Sequence, residues 1–148
     1  MPYPEQLVAP MRQELVRTGF RELRTAADVD EVLQGSTDPA LVVVNSVCGC
    51  AAGSLRPAVA LSLMGEIGPP VLTTVFAGQD LEATARAREY FTGYPPSSPS
   101  VAIVKDGEVL WMMERHEIEG RPPQVIAEQL LKAYLTHCVT ESPQARES

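Results

Sequence analysis

Two cysteines separated by a single glycine, Cys48-Gly49-Cys50, are the residues whose types and spacing most directly suggest chemistry in this sequence. They follow an apolar run, residues 41–44, which is long enough for a strand buried on both faces and too short for an independent helix. The residues after them have the composition of a helix. The unpaired N–H groups and partial positive charge at a helix N-terminus stabilise a thiolate and lower its pKa. The arrangement therefore predicts a redox site.

Two kinds of chemistry are open to this pair, thiol–disulfide exchange and the binding of a soft metal ion. Gly49 would let the backbone turn sharply enough for the two sulfurs to meet. A disulfide across so short a loop is expected to be strained, easily reduced and oxidising. Two thiolates are also soft ligands for copper or zinc, but no nearby His or third Cys in the sequence completes a tetrahedral set. We favour exchange and keep a soft-metal binding module, or a redox-inactive interaction domain, as alternatives.

The order of the cysteines along the chain predicts different roles for them. Cys48 comes first at the exit of the strand, so we expect it to be the more exposed and more ionised sulfur and to act as the nucleophile. Cys50 lies one step further in, where burial raises a thiol pKa, and is the predicted resolving cysteine. Cys138, near the end of the chain, is expected to be an exposed thiol without a catalytic role.

Composition limits the functions that the chain can have. The 148 residues are 45% hydrophobic and 21% charged, which is typical of one globular domain with its own core. A net charge of −7 without a basic cluster argues against binding to nucleic acid or to an anionic membrane. We expect neither a membrane span nor a leader peptide. Three cysteines, two of them in one motif, do not make an extracellular disulfide framework, so a cytoplasmic location is predicted.

The elements that must position the cysteines alternate between helices and strands. Helices are predicted over residues 4–17, 25–35, 51–64 and 81–91 and from residue 122 onward, and strands over residues 20–23, 41–44, 71–76, 100–105 and 108–114. Leu81, Ala85 and Tyr90 are predicted to face the sheet, and residues 115–121 to form a polar connection. Strands separated by helices pair in parallel, and the final hairpin adds antiparallel strands. Residues 1–138 should form one domain, with residues 139–148 as a loose tail.

This order resembles the thioredoxin fold, which implies an α/β/α sandwich with a mixed central sheet, a C-terminal antiparallel hairpin and an N-terminal helical extension. Three segments in the right order resemble, more narrowly, the bacilliredoxin family of bacterial thioredoxin-like proteins, which are also described as disulfide isomerases. The segments are Val44-Asn45-Ser46-Val47-Cys48-Gly49-Cys50, Tyr94-Pro95-Pro96-Ser97-Ser98-Pro99-Ser100 and Glu114-Arg115-His116-Glu117-Ile118-Glu119-Gly120. The resemblance spans residues 4–135, which is nearly the whole chain.

The resemblance implies a thiol–disulfide oxidoreductase that removes bacillithiol from mixed disulfides on client proteins, isomerises disulfides, or does both. Bacillithiol would be a thiol co-substrate and client proteins the partners. Pro99 corresponds to the cis-proline of the thioredoxin fold, so a cis Ser98–Pro99 bond is predicted, with Gly49, Ser98 and Pro99 facing the substrate. No metal or organic cofactor is predicted, because only two soft ligands cluster and no Gly-rich phosphate cradle follows a strand.

Two departures from ordinary thioredoxins bear on the activity that the resemblance implies. The cysteines are separated by one residue rather than two, and Val42 stands where thioredoxins hold a buried Asp that helps to deprotonate the second cysteine. Without that carboxylate, an exchanger or isomerase is favoured over a strong general reductase. His116 lacks the second His of a zinc-protease motif, so we treat it as a polar residue of the connection, with assistance to proton transfer as the alternative.

Overall fold

A mixed five-stranded sheet with helices packed on both faces is the frame of the protein. The computed structural model describes residues 3–35 and 37–138, so the predicted loose tail, residues 139–148, lies outside the described residues. The strands are β1 (Arg21–Glu22), β2 (Ala40–Asn45), β3 (Val71–Phe76), β4 (Ser100–Lys105) and β5 (Glu108–Met113). The α-helices are α1 (Glu5–Val16), α2 (Ala26–Leu33), α3 (Arg56–Ser62), α4 (Leu81–Glu89), α5 (Arg115–Ile118) and α6 (Pro123–His137), and a π-helical turn (Ala51–Leu55) directly precedes α3.

The order of the strands in the sheet is β1-β3-β2-β4-β5. The central strand β2 is parallel to β3 and antiparallel to β4, and β1 adds a second parallel pair at one edge. β4 and β5 form the predicted hairpin around Asp106 and Gly107, which both have positive φ. The predicted α/β/α arrangement is therefore present. Within the described residues, no helix is long and apolar enough to cross a membrane.

The central strand β2 can position a site because it is buried along its whole length. All six of its residues are at most 1% exposed. Successive side chains point to opposite faces of the sheet, so Leu41 and Val43 pack into the core under α3 and α6, whereas Val42 and Val44 pack under α2 and α4. A strand held from both faces delivers the residues that follow Asn45 to a fixed position.

The predicted inner face of α4 is wrong for Leu81 and Ala85, whereas Tyr90 does pack against the core under α2 and α4. Leu81 is 59% exposed and Ala85 is exposed, whereas Ala83, Thr84 and Ala87 are buried. These small side chains let the helix lie close to the sheet, and the Thr84 hydroxyl donates a hydrogen bond to the carbonyl oxygen of the last residue of β3 at 3.1 Å. Alanine and threonine are weaker hydrophobic signals than leucine, so apolar spacing alone selected the opposite face.

The prediction of an exposed Cys138 thiol is also wrong. Cys138 is only 8% exposed and belongs to the core under α6. Ile126, Leu130, Tyr134 and Cys138 are spaced four residues apart, so they follow one face of α6 to its C-terminal end. Burial raises the pKa of the Cys138 thiol to about 11. Cys138 is therefore a packing residue.

A buried arginine fastens the N-terminal helix to the sheet. Arg12 on α1 is 4% exposed, and its guanidinium donates hydrogen bonds to Glu5 at 2.8 Å, to Glu22 on β1 at 3.0 Å and to Asp80 at 2.6 Å. Asp80 precedes α4, so a single side chain connects α1, β1 and the start of α4. A cation removed from water is stable only when acceptors surround it in this way.

Replacing Arg12 by Leu is expected to lower the free energy of unfolding by roughly 3 kcal/mol, because the Asp80 carboxylate, only 12% exposed, loses its main partner. Arg24→Leu is the matched control, since the Arg24 guanidinium contacts the same Glu5 and Asp80 carboxylates while 48% exposed. The Arg24→Leu substitution should lower the free energy of unfolding by less than about 1 kcal/mol. Urea denaturation of both variants measures the difference, and equal losses would contradict it.

Candidate redox site

The cysteine loop begins where the buried strand β2 ends. Ser46 is 6% exposed, and its Oγ accepts a hydrogen bond from the backbone N–H of Cys48 at 3.1 Å. The carbonyl oxygen of Cys48 accepts from the N–H groups of Ala51 at 3.1 Å and Ala52 at 3.2 Å. These short-range bonds hold Cys48 at the first turn of the helical segment, which is the position that the sequence predicts for it.

The helical segment after the cysteines starts as a π-helical turn and becomes the α-helix α3 at Arg56. Pro57 lies in the first turn of α3. Proline has no N–H to donate to the carbonyl of the residue four positions earlier. The wider turn therefore occupies the stretch where an α-helical hydrogen bond could not form.

A second buried arginine lies directly beneath the loop. Arg56 is 4% exposed, and its Nη1 donates to the side-chain oxygen of Asn45 at 2.8 Å and to the carbonyl of Ser46 at 2.9 Å. Its Nε donates to Glu14 on α1, and Asn45 in turn donates to the carbonyl of Met11 at 3.2 Å. Sequence reasoning missed Arg56, although a lone arginine in an otherwise apolar helical run was a signal.

The Cys48 thiol is the more acidic of the two sulfurs in the loop, which are both reduced. Burial is the largest influence on it and opposes ionisation, but hydrogen bonds outweigh burial, so the pKa of Cys48 is lowered. The donors are the Ser46 hydroxyl and the backbone N–H groups of Ala51 and Cys50, and the Arg115 guanidinium adds a favourable charge. A thiolate on Cys48 is therefore stabilised at the helix start.

The Cys50 thiol has the opposite shift. Its pKa is raised first by burial, then by the nearby Cys48 sulfur and by the negative charge of Glu119, while Arg115 offsets part of the effect. The Cys50 Sγ lies 3.7 Å from Glu119 Oε2 and can donate its S–H there. Both residues are half-buried, so the expectation that Cys48 is the more exposed sulfur stays a prediction. Hydrogen bonds and charges therefore decide the order of acidity.

A short helix, α5, completes the site where the sequence predicts only a polar connection. Its N-cap, Glu114, forms a reciprocal capping box with Glu117, and this pair stabilises an otherwise marginal single turn. Arg115 donates to Glu119 Oε2 at 3.1 Å and to the carbonyl oxygen of Ser98 at 3.2 Å. The four-residue spacing of Arg115 and Glu119 was the signal that sequence reasoning missed. His116 points away, with its side chain 73% exposed.

The predicted cis peptide bond between Ser98 and Pro99 is confirmed. Pro99 is buried, and Ser98 lines a cavity of about 310 Å³ that it shares with Cys48, Arg88 and Arg115. The carbonyl of Ser98 is occupied by Arg115, whereas its N–H has no acceptor among the described residues. The structure thus brings the cis-proline loop and Cys48 to one cavity.

In the reduced loop, Gly49 does not adopt a backbone conformation that favours glycine. It is exposed, its φ is not positive, and a methyl group added to it would meet no atom within 4 Å. The reduced loop therefore has room for a Cβ atom at this position, and a role of Gly49 in bringing the two sulfurs together stays a prediction. Gly49 leaves open space beside the two sulfurs, and its contact with substrate stays a prediction.

The described residues contain no group of three or more His, Cys, Asp or Glu side chains that could hold a metal ion. Val42 is fully buried among apolar side chains of the core under α2 and α4. No carboxylate therefore stands at the position that holds the buried Asp of thioredoxins. The carboxylate near Cys50 is that of Glu119, which approaches from the surface side and is 57% exposed.

The sheet order, the cysteine pair at the end of the central strand and the neighbouring cis-proline define a protein of the thioredoxin fold. Among solved structures, the chain is similar to a thioredoxin of Fasciola hepatica, with a TM-score of 0.56 and 20% identity, over 80% of this chain and 99% of that chain. At this identity the likeness establishes the fold alone. It confirms the thioredoxin-like architecture.

Comparison of sequences identifies the family within that fold. A family model described as disulphide isomerase matches residues 3–138. A bacilliredoxin of Salinibacter ruber is 51% identical over 147 residues, which are 98% of this chain and 86% of the relative. A bacilliredoxin of Bacillus licheniformis is 53% identical over 137 residues, which are 92% of this chain and 95% of the relative. The chain belongs to the bacilliredoxin family, which confirms the resemblance inferred from its three motifs.

Alkylation of the reduced native protein with iodoacetamide near neutral pH is expected to label Cys48 first, because its pKa is lowered. Cys50 should react more slowly, since its pKa is raised. Cys138, buried and with a pKa of about 11, should react only after unfolding. Peptide mapping by mass spectrometry gives the order, and equal labelling of Cys138 and Cys48 in the native protein would contradict it.

Glu119→Gln is expected to lower the pKa of the Cys50 thiol, because a carboxylate that opposes ionisation is replaced by a neutral amide. The rate at which Cys50 attacks a mixed disulfide on Cys48 should then rise at lower pH than in the unmodified protein. Stopped-flow release of a chromophoric thiol measures this profile. Glu128→Gln, at an exposed position of α6, is the control. A shift to higher pH would mean that Glu119 acts mainly as a proton acceptor.

Proposed function

We propose that this thiol–disulfide oxidoreductase acts through Cys48 as the nucleophile and Cys50 as the resolving cysteine. Its substrates are mixed disulfides between bacillithiol and client proteins, and it also isomerises disulfides. The observation that carries the proposal is the opposite shift of two neighbouring thiols, with the pKa lowered at Cys48 and raised at Cys50. Family membership supports bacillithiol as the small thiol. The reaction takes place in the cytoplasm, where disulfides are rare and thiols are kept reduced.

The reaction proceeds in two exchanges. The Cys48 thiolate attacks the bacillithiol sulfur of the mixed disulfide, so that a new S–S bond forms on Cys48 and the client leaves as a thiolate. Cys50 then loses its proton and attacks Cys48, bacillithiol leaves as a thiolate, and a Cys48–Cys50 disulfide closes. Two electrons pass from the cysteine pair to the client and bacillithiol, and an external thiol reductant resets the pair. In isomerisation, the Cys48 thiolate attacks a disulfide within a client, and one client sulfur leaves as a thiolate. Another client thiolate then attacks the Cys48–client disulfide, so that a different client disulfide forms and the Cys48 thiolate is released.

The charges around Cys50 determine which of the two exchanges occurs first. While Cys48 is a thiolate, its negative charge and that of Glu119 keep Cys50 protonated. Formation of the mixed disulfide removes the charge on Cys48, so one of the two repulsions ends and Cys50 ionises more readily. The resolving thiol is therefore held back until an intermediate exists for it to attack.

The cis-proline loop supplies the contact with the client chain. The unpaired N–H of Ser98 lies in the wall of the cavity that contains Cys48 and can donate to a client backbone carbonyl. Arg115 keeps that wall in place through the Ser98 carbonyl. The client cysteine is then presented to Cys48 from an extended chain.

Single cysteine variants test the proposal. Cys48→Ser should abolish exchange, because no thiolate remains to attack. Cys50→Ser should still attack and should accumulate a stable adduct on Cys48. Cys138→Ala is the matched control, since Cys138 is buried in the core, and should exchange normally. Intact mass measurement after exposure to a bacillithiol mixed disulfide distinguishes the three proteins.

Two results would overturn the proposal. Turnover in Cys48→Ser with an adduct on Cys50 would reverse the roles. Stoichiometric binding of copper or zinc by the reduced protein, together with no exchange, would favour the soft-metal module that the two thiolates could also form.

A further inference from the structure

A second cavity lies between α1 and α3, apart from the cavity of the redox site. It has a volume of about 290 Å³ and is lined by Glu14, Arg17, Arg56, Pro57 and Ala60. None of these residues borders the cavity that contains Cys48. Pro57 and Ala60 are exposed, so the walls of the second cavity combine two guanidinium groups with an accessible apolar surface.

Arg56 borders this cavity and leaves one of its nitrogens unpaired. The residue is only 4% exposed. Its Nε donates to Glu14, and its Nη1 donates to the Asn45 side chain and to the Ser46 carbonyl. Its Nη2 has no hydrogen-bond partner among the described residues, and protein atoms do not enclose it completely. A buried cation needs acceptors for its N–H groups, so an oxygen atom of a ligand in the cavity would complete the set.

The charges that border the second cavity do not cancel. Glu14 is the counter-charge of Arg56, and α3 carries no other charged residue. Arg17, at the C-terminal end of α1, is exposed and pairs with no carboxylate among the described residues. One positive charge therefore remains, and no cysteine borders the cavity to offset it.

An aliphatic carboxylate matches these features. Its single negative charge balances the remaining positive charge, and its two oxygens can accept from two guanidinium groups. A short hydrocarbon chain would cover the apolar wall. Phosphate matches less well, because it carries almost two negative charges near neutral pH and has no apolar part. A volume of about 290 Å³ lies at the lower end of the range for small-molecule sites, which favours a small ligand.

We infer that the cavity between α1 and α3 binds a small aliphatic acid as its carboxylate. Arg17 and the Nη2 of Arg56 donate to the carboxylate oxygens, and the hydrocarbon chain lies over Pro57 and Ala60. The site is additional to thiol–disulfide exchange and does not depend on it. It nevertheless lies directly behind the cysteine loop, because the same Arg56 guanidinium holds the Ser46 carbonyl.

Sodium butyrate and neutral butyramide, which are alike in size and differ in charge, test the inference. An NMR titration of the isotopically labelled, reduced full chain should show saturable shifts of the Arg17 and Ala60 amides and of the Arg56 side-chain N–H groups. At constant ionic strength, butyrate should bind about tenfold more tightly than butyramide, as expected for a charge-assisted hydrogen bond. Butyrate should also bind about threefold more tightly than acetate, because its additional methylene groups cover part of the apolar wall.

Two substitutions should change the affinity for butyrate in opposite directions. Arg17→Gln removes a donor and its charge and should weaken binding about tenfold. Glu14→Gln removes a competing negative charge, while its amide oxygen can still accept from Arg56, and should strengthen binding about threefold. Arg17→Gln carries the test alone if Glu14→Gln does not fold.

Two further variants are the controls. Arg121→Gln should leave the affinity unchanged, because Arg121 is likewise exposed and without a carboxylate partner among the described residues but borders a different cavity. Cys48→Ser should also bind butyrate normally. Failure of the proposed exchange reaction and failure of this inference are therefore distinguishable.

Several results would overturn the inference. Equal affinities for butyrate and butyramide would mean that the carboxylate is not recognised. Equal weakening by Arg17→Gln and Arg121→Gln would mean that surface charge alone attracts the anion, and weaker binding to Glu14→Gln would mean that butyrate does not share Arg56 with Glu14. Inorganic phosphate bound as tightly at the same residues would indicate a general anion site. A capped peptide with a single Glu, bound as tightly as butyrate, would assign the site to an acidic side chain of a protein partner.

Discussion

The buried guanidinium of Arg56 is the interaction on which the geometry of the cysteine loop depends. A charge removed from water is tolerated only when acceptors and a counter-charge surround it. The counter-charge is the Glu14 carboxylate on α1. The neutral acceptors are the Asn45 side chain and the Ser46 carbonyl, both at the end of β2. Because Arg56 also begins α3, satisfying one cation fixes the strand end, the helix start and the N-terminal helix around Cys48.

The pKa values of the two thiols differ because of the groups that surround each sulfur, and not because one sulfur is more deeply buried. Burial opposes ionisation at both, so only hydrogen bonds and charges can separate their pKa values. Cys48 receives N–H groups from the first helical turn, whereas Cys50 is placed next to Glu119. Thioredoxins hold a buried carboxylate at the position of Val42, whereas here the carboxylate near Cys50 is that of Glu119, which directly follows α5 and is at the surface. The same frame therefore carries a different distribution of charge around its two cysteines.

Local sequence patterns predicted the strands, most of the helices and the cysteine positions, because they depend on neighbours in the chain. The run that became β2, the hairpin at Asp106-Gly107 and the helix after the cysteines each have a periodicity or turn signal of their own. The proline motif predicted the cis bond through resemblance to a family. Where signals were weak or local rules conflicted, prediction failed, as for the inner face of α4, the burial of Cys138 and the one-turn helix α5.

The sequence by itself determined the architecture, the family and the pair of cysteines at the end of a buried strand, since these follow from short-range order and from motifs. Only the tertiary structure decided which charges meet the sulfurs. Arg56, Arg115 and Glu119 are ordinary polar residues in the sequence, and each acquires its role from partners on other elements of the fold. Electrostatic influence depends on distance through space and on the exclusion of water. The spacing of residues along the chain specifies neither their distance in the fold nor their exclusion from water.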